Sequence, residues 1–78
     1  MFLYSFAYYT GVFAMEKLKV VIADDHPIVL LGVRELMERD ERFEIVGEAV
    51  CSKGLIQQLE AKQVDIVITD YNMPGDSP

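Results

Sequence analysis

Residues 18–27 read Leu18-Lys-Val-Val-Ile-Ala-Asp-Asp-His-Pro27, an apolar run that ends abruptly in two acids. A short continuous run of this kind suits a strand buried on both faces of a parallel sheet, where no solvent face imposes alternation. Pro27 then stands where the first residue of a helix tolerates proline, with Asp25 or His26 placed to cap it. Val29, Leu30, Val33, Leu36 and Met37 recur at helical spacing, which predicts a helix to about Asp40.

Downstream the pattern repeats. Polar residues 39–42 break the apolar spacing, and Phe43 to Val50 predicts a weaker strand, interrupted by Glu44 and Glu48 as an edge strand would be. Ser52 is placed to cap a second helix carrying Leu55, Ile56 and Leu59 on one side. Asp65-Ile-Val-Ile-Thr69 is another buried-strand run, and it too ends in acid, at Asp70. The order strand, helix, strand, helix, strand predicts right-handed crossovers and a parallel α/β sheet with helices on both faces.

Composition narrows the function. A chain of 78 residues with 51% apolar content holds one folded domain, and a small one with little stability in reserve. A net charge of −6 excludes direct nucleic-acid binding, which needs a basic stripe. The single cysteine, Cys51, cannot form an internal disulfide and reads as a small buried hydrophobe in a reducing, cytoplasmic setting.

Residues 1–14, MFLYSFAYYTGVFA, break from this pattern: the stretch is uncharged and carries six of the eight aromatic residues. It is too short to span a membrane and lacks the basic start of a secretory signal, so no membrane association is expected. Met15-Glu-Lys is a plausible beginning, which makes residues 1–14 an upstream extension outside the folded pattern. A hydrophobic anchor or a partner-binding arm are the alternatives.

In open α/β sheets, ligands gather outside the carboxyl ends of the strands, where the strand order reverses. With the three strands in the order 2-1-3, Asp24, Asp25 and Asp70 project into one crevice. Three carboxylates so placed repel one another unless a cation joins them, and a hard divalent ion with oxygen ligands is the natural choice. Mg2+ fits best, because it takes few carboxylates, keeps several waters and bridges to phosphate oxygens. A carboxylate in such a site can act as a phosphoryl acceptor. The bland alternative treats the same acids as strand-end and helix-capping residues, which is ordinary for Asp.

Two motifs, Val21-Ile-Ala-Asp-Asp-His-Pro27 and Ile68-Thr-Asp-Tyr-Asn-Met-Pro-Gly75, resemble the acidic motifs of response-regulator receiver domains of two-component phosphorelays. The form of the first motif and the residues after it are similar to receivers fused to a LuxR-class helix-turn-helix domain. The resemblance covers residues 17–78. It implies a flavodoxin-like, three-layer α/β/α fold, here shortened to β-α-β-α-β with parallel strand order 2-1-3. It also implies Asp70 as the phosphoacceptor and a Mg2+ site formed by Asp24, Asp25, Asp70 and the backbone carbonyl of Asn72. The phosphate donor would be a phosphohistidine on a histidine kinase or phosphotransfer protein, and the intact protein a transcription regulator rather than an enzyme.

The sequence ends before the last two strands and last three helices of that family. The Ser or Thr that senses the phosphoryl group and the Lys that pairs with it are therefore expected beyond Pro78. The third strand is expected to present an unpaired edge open to self-association. His26, directly before Pro27, is read as a residue that orients the loop and caps the helix. Tyr71 either flanks the acceptor or has no role, while Pro74 and Gly75 shape the turn. Two rival functions are a truncated fragment that is inert or serves only for interaction, and a Mg2+-dependent phosphohydrolase. Asp70-x-Asn72 also opens like a calcium loop, but no helix precedes it and Pro74 stands where a ligand belongs.

Overall fold

Val20, Val21, Ile22 and Ala23 are almost without solvent exposure, as a central strand covered on both faces requires. The computed structural model describes residues 5–7 and 17–76. Its elements run β1 (Ser5–Ala7), β2 (Leu18–Ala23), α1 (Pro27–Glu38), β3 (Phe43–Ala49), α2 (Ser52–Ala61) and β4 (Ile66–Asp70). One four-stranded sheet has the order β1-β4-β2-β3. Its three parallel strands, β3, β2 and β4, stand in the expected 2-1-3 order.

Side-chain alternation along β2 divides the core between two layers. Val20 and Ile22 pack with Leu30 of α1 and Ile66 of β4, with Val33, Met37, Phe43 and Ile45 around them. Val21 faces the other way. It stands in register with Gly47 of β3, and a Cβ at Gly47 would collide with the Gln58 side chain of α2. The helices therefore cover opposite faces, giving three layers. Lys19 and Asp65 tie the starts of β2 and β4 together, because Lys19 N–H donates to Asp65 Oδ2 at 2.8 Å.

The β2–β3 pairing slips between Val20 and Val21, leaving Val46 as an extra residue in β3. The ammonium of Lys62, the residue that follows α2, donates to the Val46 carbonyl at 2.5 Å. On the other side of the sheet, Arg34 of α1 pairs with Glu48, its Nε donating at 2.6 Å. Glu44 and Glu48 thus mark an edge strand, as expected.

Several expectations need correction. β4 is not an open edge, because Ser5–Ala7 pairs with it antiparallel in the register Ser5↔Asp70, Phe6↔Thr69 and Ala7↔Ile68. Part of the leading segment therefore belongs to the sheet; the rest of it, and Met15 as a beginning, lie outside the described residues. Ser52 does not cap α2. The N-cap is Cys51, whose buried Sγ accepts the Gly54 N–H at 3.4 Å. Leu36 was placed on the inner stripe of α1 but is 67% exposed, and Ile56 and Leu59 of α2 are also exposed. The sheet is narrow, so each helix buries only the part of its apolar arc that the strands reach.

Candidate functional site

Asp24 follows the last residue of β2 and Asp70 is the last residue of β4, so neighbouring parallel strands end side by side in carboxylates. Asp25 starts the turn into α1. The structure brings Asp24, Asp25, His26 and Asp70 together, with one potential ligand atom from each lying within 4.8 Å of the others. All three acids read from the sequence are in this cluster. Among the described residues, no Lys or Arg pairs with any of them.

Asp24 is 1% exposed and Asp70 is 8% exposed, while Asp25 reaches solvent. The Asp24 Oδ1 accepts the His26 backbone N–H at 2.9 Å and faces His26 Nδ1 at 2.8 Å. Its Oδ2 is buried and has no hydrogen-bond partner among the described residues. Burying an ionised oxygen unpaired is costly, which a strand-end or capping role does not explain. A cation at the cluster does explain it, so the donor set fits a divalent ion.

Asp70 is oriented from one side. The Asn72 N–H donates to its Oδ1 at 3.0 Å, a short turn that aims the carboxylate back over the strand end. Loop residues after Asp70 are held in turn by α2, since Ser52 N–H donates to the Pro74 carbonyl at 2.8 Å and Lys53 N–H to that of Gly75 at 2.9 Å. Tyr71 is 78% exposed beside the cluster. Asn72 meets the cluster through its N–H, whereas the sequence reading concerned its carbonyl.

His26, expected to orient the loop and cap α1, holds the turn through its N–H bond to Asp24 Oδ1. It is the N-cap of α1 by backbone geometry, yet neither it nor Asp25 makes a side-chain capping bond. Its Nδ1 instead lies 2.8 Å from Asp24 Oδ1 and 3.1 Å from Asp25 Oδ1. The hydrogen bond to Asp24 raises its pKa above the ordinary histidine value, aided by the charges of Asp25, Asp24 and Asp70 and opposed by desolvation. Its adjacency to two acids was the signal available in the sequence. An open cleft of about 600 Å³ beside α2, lined by Leu30, Glu48, Cys51, Gly54 and Gln58, contains none of the three carboxylates.

Residues 20–77 match the model of the response regulator receiver domain. The chain belongs to this family. It is 47% identical over 62 residues to the transcriptional regulatory protein RcsB of Escherichia coli, an alignment covering 80% of this chain and 29% of that relative. RcsB from Salmonella enterica serovar Typhimurium, solved bound to promoter rprA with the phosphomimetic BeF3-, superposes with a TM-score of 0.73 at 46% identity. That match covers 78% of this chain and 30% of the other. The non-phosphorylated receiver domain of Escherichia coli RcsB superposes with a TM-score of 0.73 at 45% identity, over 80% of this chain and 47% of that domain. The chain spans less than a third of the length of the full-length RcsB relative. The parallel order 2-1-3 is that of the flavodoxin-like receiver fold. No helix among the described residues is long and apolar enough to cross a membrane.

Proposed function

We propose that this receiver segment accepts a phosphoryl group on Asp70 from a phosphohistidine of a histidine kinase or phosphotransfer protein. The observation that carries this reading is the convergence of three carboxylates on two adjacent strand ends, one with a buried oxygen left unpaired. Asp24, Asp25, Asp70 and the Asn72 carbonyl are the groups that would hold Mg2+. When bound, the ion would neutralise the acids and let an anionic donor approach.

The Asn72 N–H holds Asp70 Oδ1, which leaves Oδ2 as the attacking oxygen. A new O–P bond forms at Oδ2 as the P–N bond of the donor breaks, and the imidazole leaves with that electron pair. Because Asp70 is nearly buried and oriented beforehand, little rotational freedom remains to be lost at the moment of attack. Regulation of transcription belongs to a longer protein in which such a segment controls a separate DNA-binding domain, and its setting would be the cytoplasm. The acidic segment itself, at net charge −6, is not assigned to DNA.

The test is incubation with acetyl phosphate and Mg2+, followed by intact-mass spectrometry of the wild type and of Asp70→Asn. One added phosphoryl group in the wild type and none in the variant is expected. Labelling that persists in Asp70→Asn refutes the acceptor assignment. Continuous release of inorganic phosphate without a labelled intermediate points to a hydrolase instead.

A further inference from the structure

We infer that residues 49–53, the end of β3 and the first turn of α2, position the acceptor: they hold the loop after Asp70 so that its carboxylate stays aimed. This rests on the reading of Asp70 as the phosphoacceptor. The segment contributes no carboxylate, yet it bonds to both sides of the site. The Ala49 carbonyl accepts the Asp24 N–H at 3.0 Å, and Ser52 N–H donates to the Pro74 carbonyl at 2.8 Å. Lys53 N–H donates to the Gly75 carbonyl at 2.9 Å. Pro74 lies two residues beyond Asn72, whose N–H holds Asp70 Oδ1 at 3.0 Å. A shift of the loop at Pro74 therefore moves the donor that orients the acceptor.

Burial supplies little of this hold. Residues 71, 72 and 74–76 are exposed, and Met73 is half-buried. The Lys53–Asp76 ion pair, at 4.0 Å and exposed on both sides, contributes little as well. Main-chain hydrogen bonds from α2 carry the anchoring, and their availability follows from the cap. The first N–H groups of a helix have no partners within it. Cys51 Sγ, on a residue 5% exposed, takes the Gly54 N–H, and the N–H groups of Ser52 and Lys53 are met by the loop. Helix start and acceptor loop thus complete one another. Orientation fixed before the phosphate donor arrives lowers the barrier to attack and leaves the affinity for the donor unchanged.

Ser52→Pro isolates one of these bonds. Ser52 is the first residue of α2, where proline fits a helix, and Cys51 before it is extended at φ −153° and ψ 164°, the region a residue preceding proline prefers. The substitution deletes the N–H that reaches Pro74, whereas Ser52→Ala keeps it. The full chain is labelled with acetyl phosphate and Mg2+ over a range of donor concentrations and read by intact mass. In Ser52→Pro the maximal labelling rate should fall about tenfold while the half-saturating donor concentration changes less than about twofold, and Ser52→Ala should retain the wild-type rate. The Asn72 amide resonance should move toward its unbonded position in Ser52→Pro alone. An unchanged maximal rate in folded Ser52→Pro, or an equal loss in Ser52→Ala, overturns the positioning role, while labelling of the wild type keeps the acceptor reading. A wild type that takes no label removes both. If Ser52→Pro loses its cooperative urea transition, Cys51→Ala and Cys51→Ser decide. A rate lost in the alanine variant and kept in the serine variant, which can accept the Gly54 N–H, supports the role, and equal rates in the two refute it.

Discussion

Replacing Asp24 by Asn separates a ligand from a structural acid, because the two roles predict opposite signs for stability. Asp24 shares a cluster with Asp25 and Asp70, with potential ligand atoms within 4.8 Å. At an effective dielectric of about 20, two unit charges at 4.8 Å repel by about 3 kcal/mol. The pair with the nearly buried Asp70 keeps much of that figure, whereas the pair with exposed Asp25 is largely screened. Against this relief, Asn still accepts the His26 N–H through its own Oδ1. The bond weakens from charged to neutral, a loss of about 1 kcal/mol. Without metal, Asp24→Asn should therefore be more stable than the wild type by about 1–2 kcal/mol. The comparison is repeated at rising pH, because the hydrogen bond to Asp24 raises the His26 pKa and the Asp24–His26 attraction is lost only as pH passes that raised value. Urea unfolding followed by circular dichroism in chelator measures the difference. Mg2+ at about 100 times its dissociation constant should then stabilise the wild type by about 2.7 kcal/mol and the variant by much less. A metal-free variant destabilised by 1 kcal/mol or more, or equal gains with Mg2+, would refute the argument that Asp24 is held for a cation.

Three further outcomes follow from other parts of the fold. Asp40 has its pKa lowered to about 2 by side-chain and backbone hydrogen bonds from Arg42. A depressed carboxylate contributes stability above its unfolded value of 3.8 and loses it as pH falls through about 2; nuclear magnetic resonance titration should find Asp40 returned toward 3.8 in Arg42→Ala. Gly47→Ala should cost less than about 1 kcal/mol in urea unfolding, because the atom it meets first is the mobile end of Gln58, whereas Gly47→Leu should cost about 2 kcal/mol or more by lifting α2 from β3. A chain beginning at Met15 uncovers the β4 edge and should self-associate in light scattering, while amides of Ile68 to Asp70 lose protection from hydrogen exchange. Monomeric behaviour with unchanged protection would mean that β1 contributes nothing to the edge.

The parallel sheet was legible because its strands are buried on both faces and leave continuous apolar runs, with Asp marking their ends. The three acids were legible for the same reason, since a strand end and its flanking residues keep a fixed place in an α/β sheet. Pairing of Ser5–Ala7 with β4 was not. An uncharged aromatic segment carries no register of its own, and the edge that selects its partner exists only in the folded sheet. His26 is the N-cap of α1, as a residue before Pro27 suggests, but the orientation of its ring was not legible. Which way its ring turns depends on Asp24 and Asp25 being already in place.

The capping of α2 bears on where negative charge can be met. Ser52 suggested a local cap, yet the first-turn donors go elsewhere: Ser52 N–H to Pro74, Lys53 N–H to Gly75 and Gly54 N–H to Cys51 Sγ. A helix N-terminus is the usual place to receive a phosphate, through free N–H groups and the dipole. Here two of those donors bind carbonyls from the loop that follows Asp70 and hold that loop in shape, and the third binds the Cys51 thiol, so all three are already engaged. No Lys or Arg pairs with the carboxylates among the described residues, so on the proposed reading an ion at the Asp24–Asp25–Asp70 cluster would supply positive charge for an incoming phosphoryl group. On that reading, labelling at Asp70 is expected to depend on metal. Phosphorylation by acetyl phosphate that runs equally fast in chelator would contradict it.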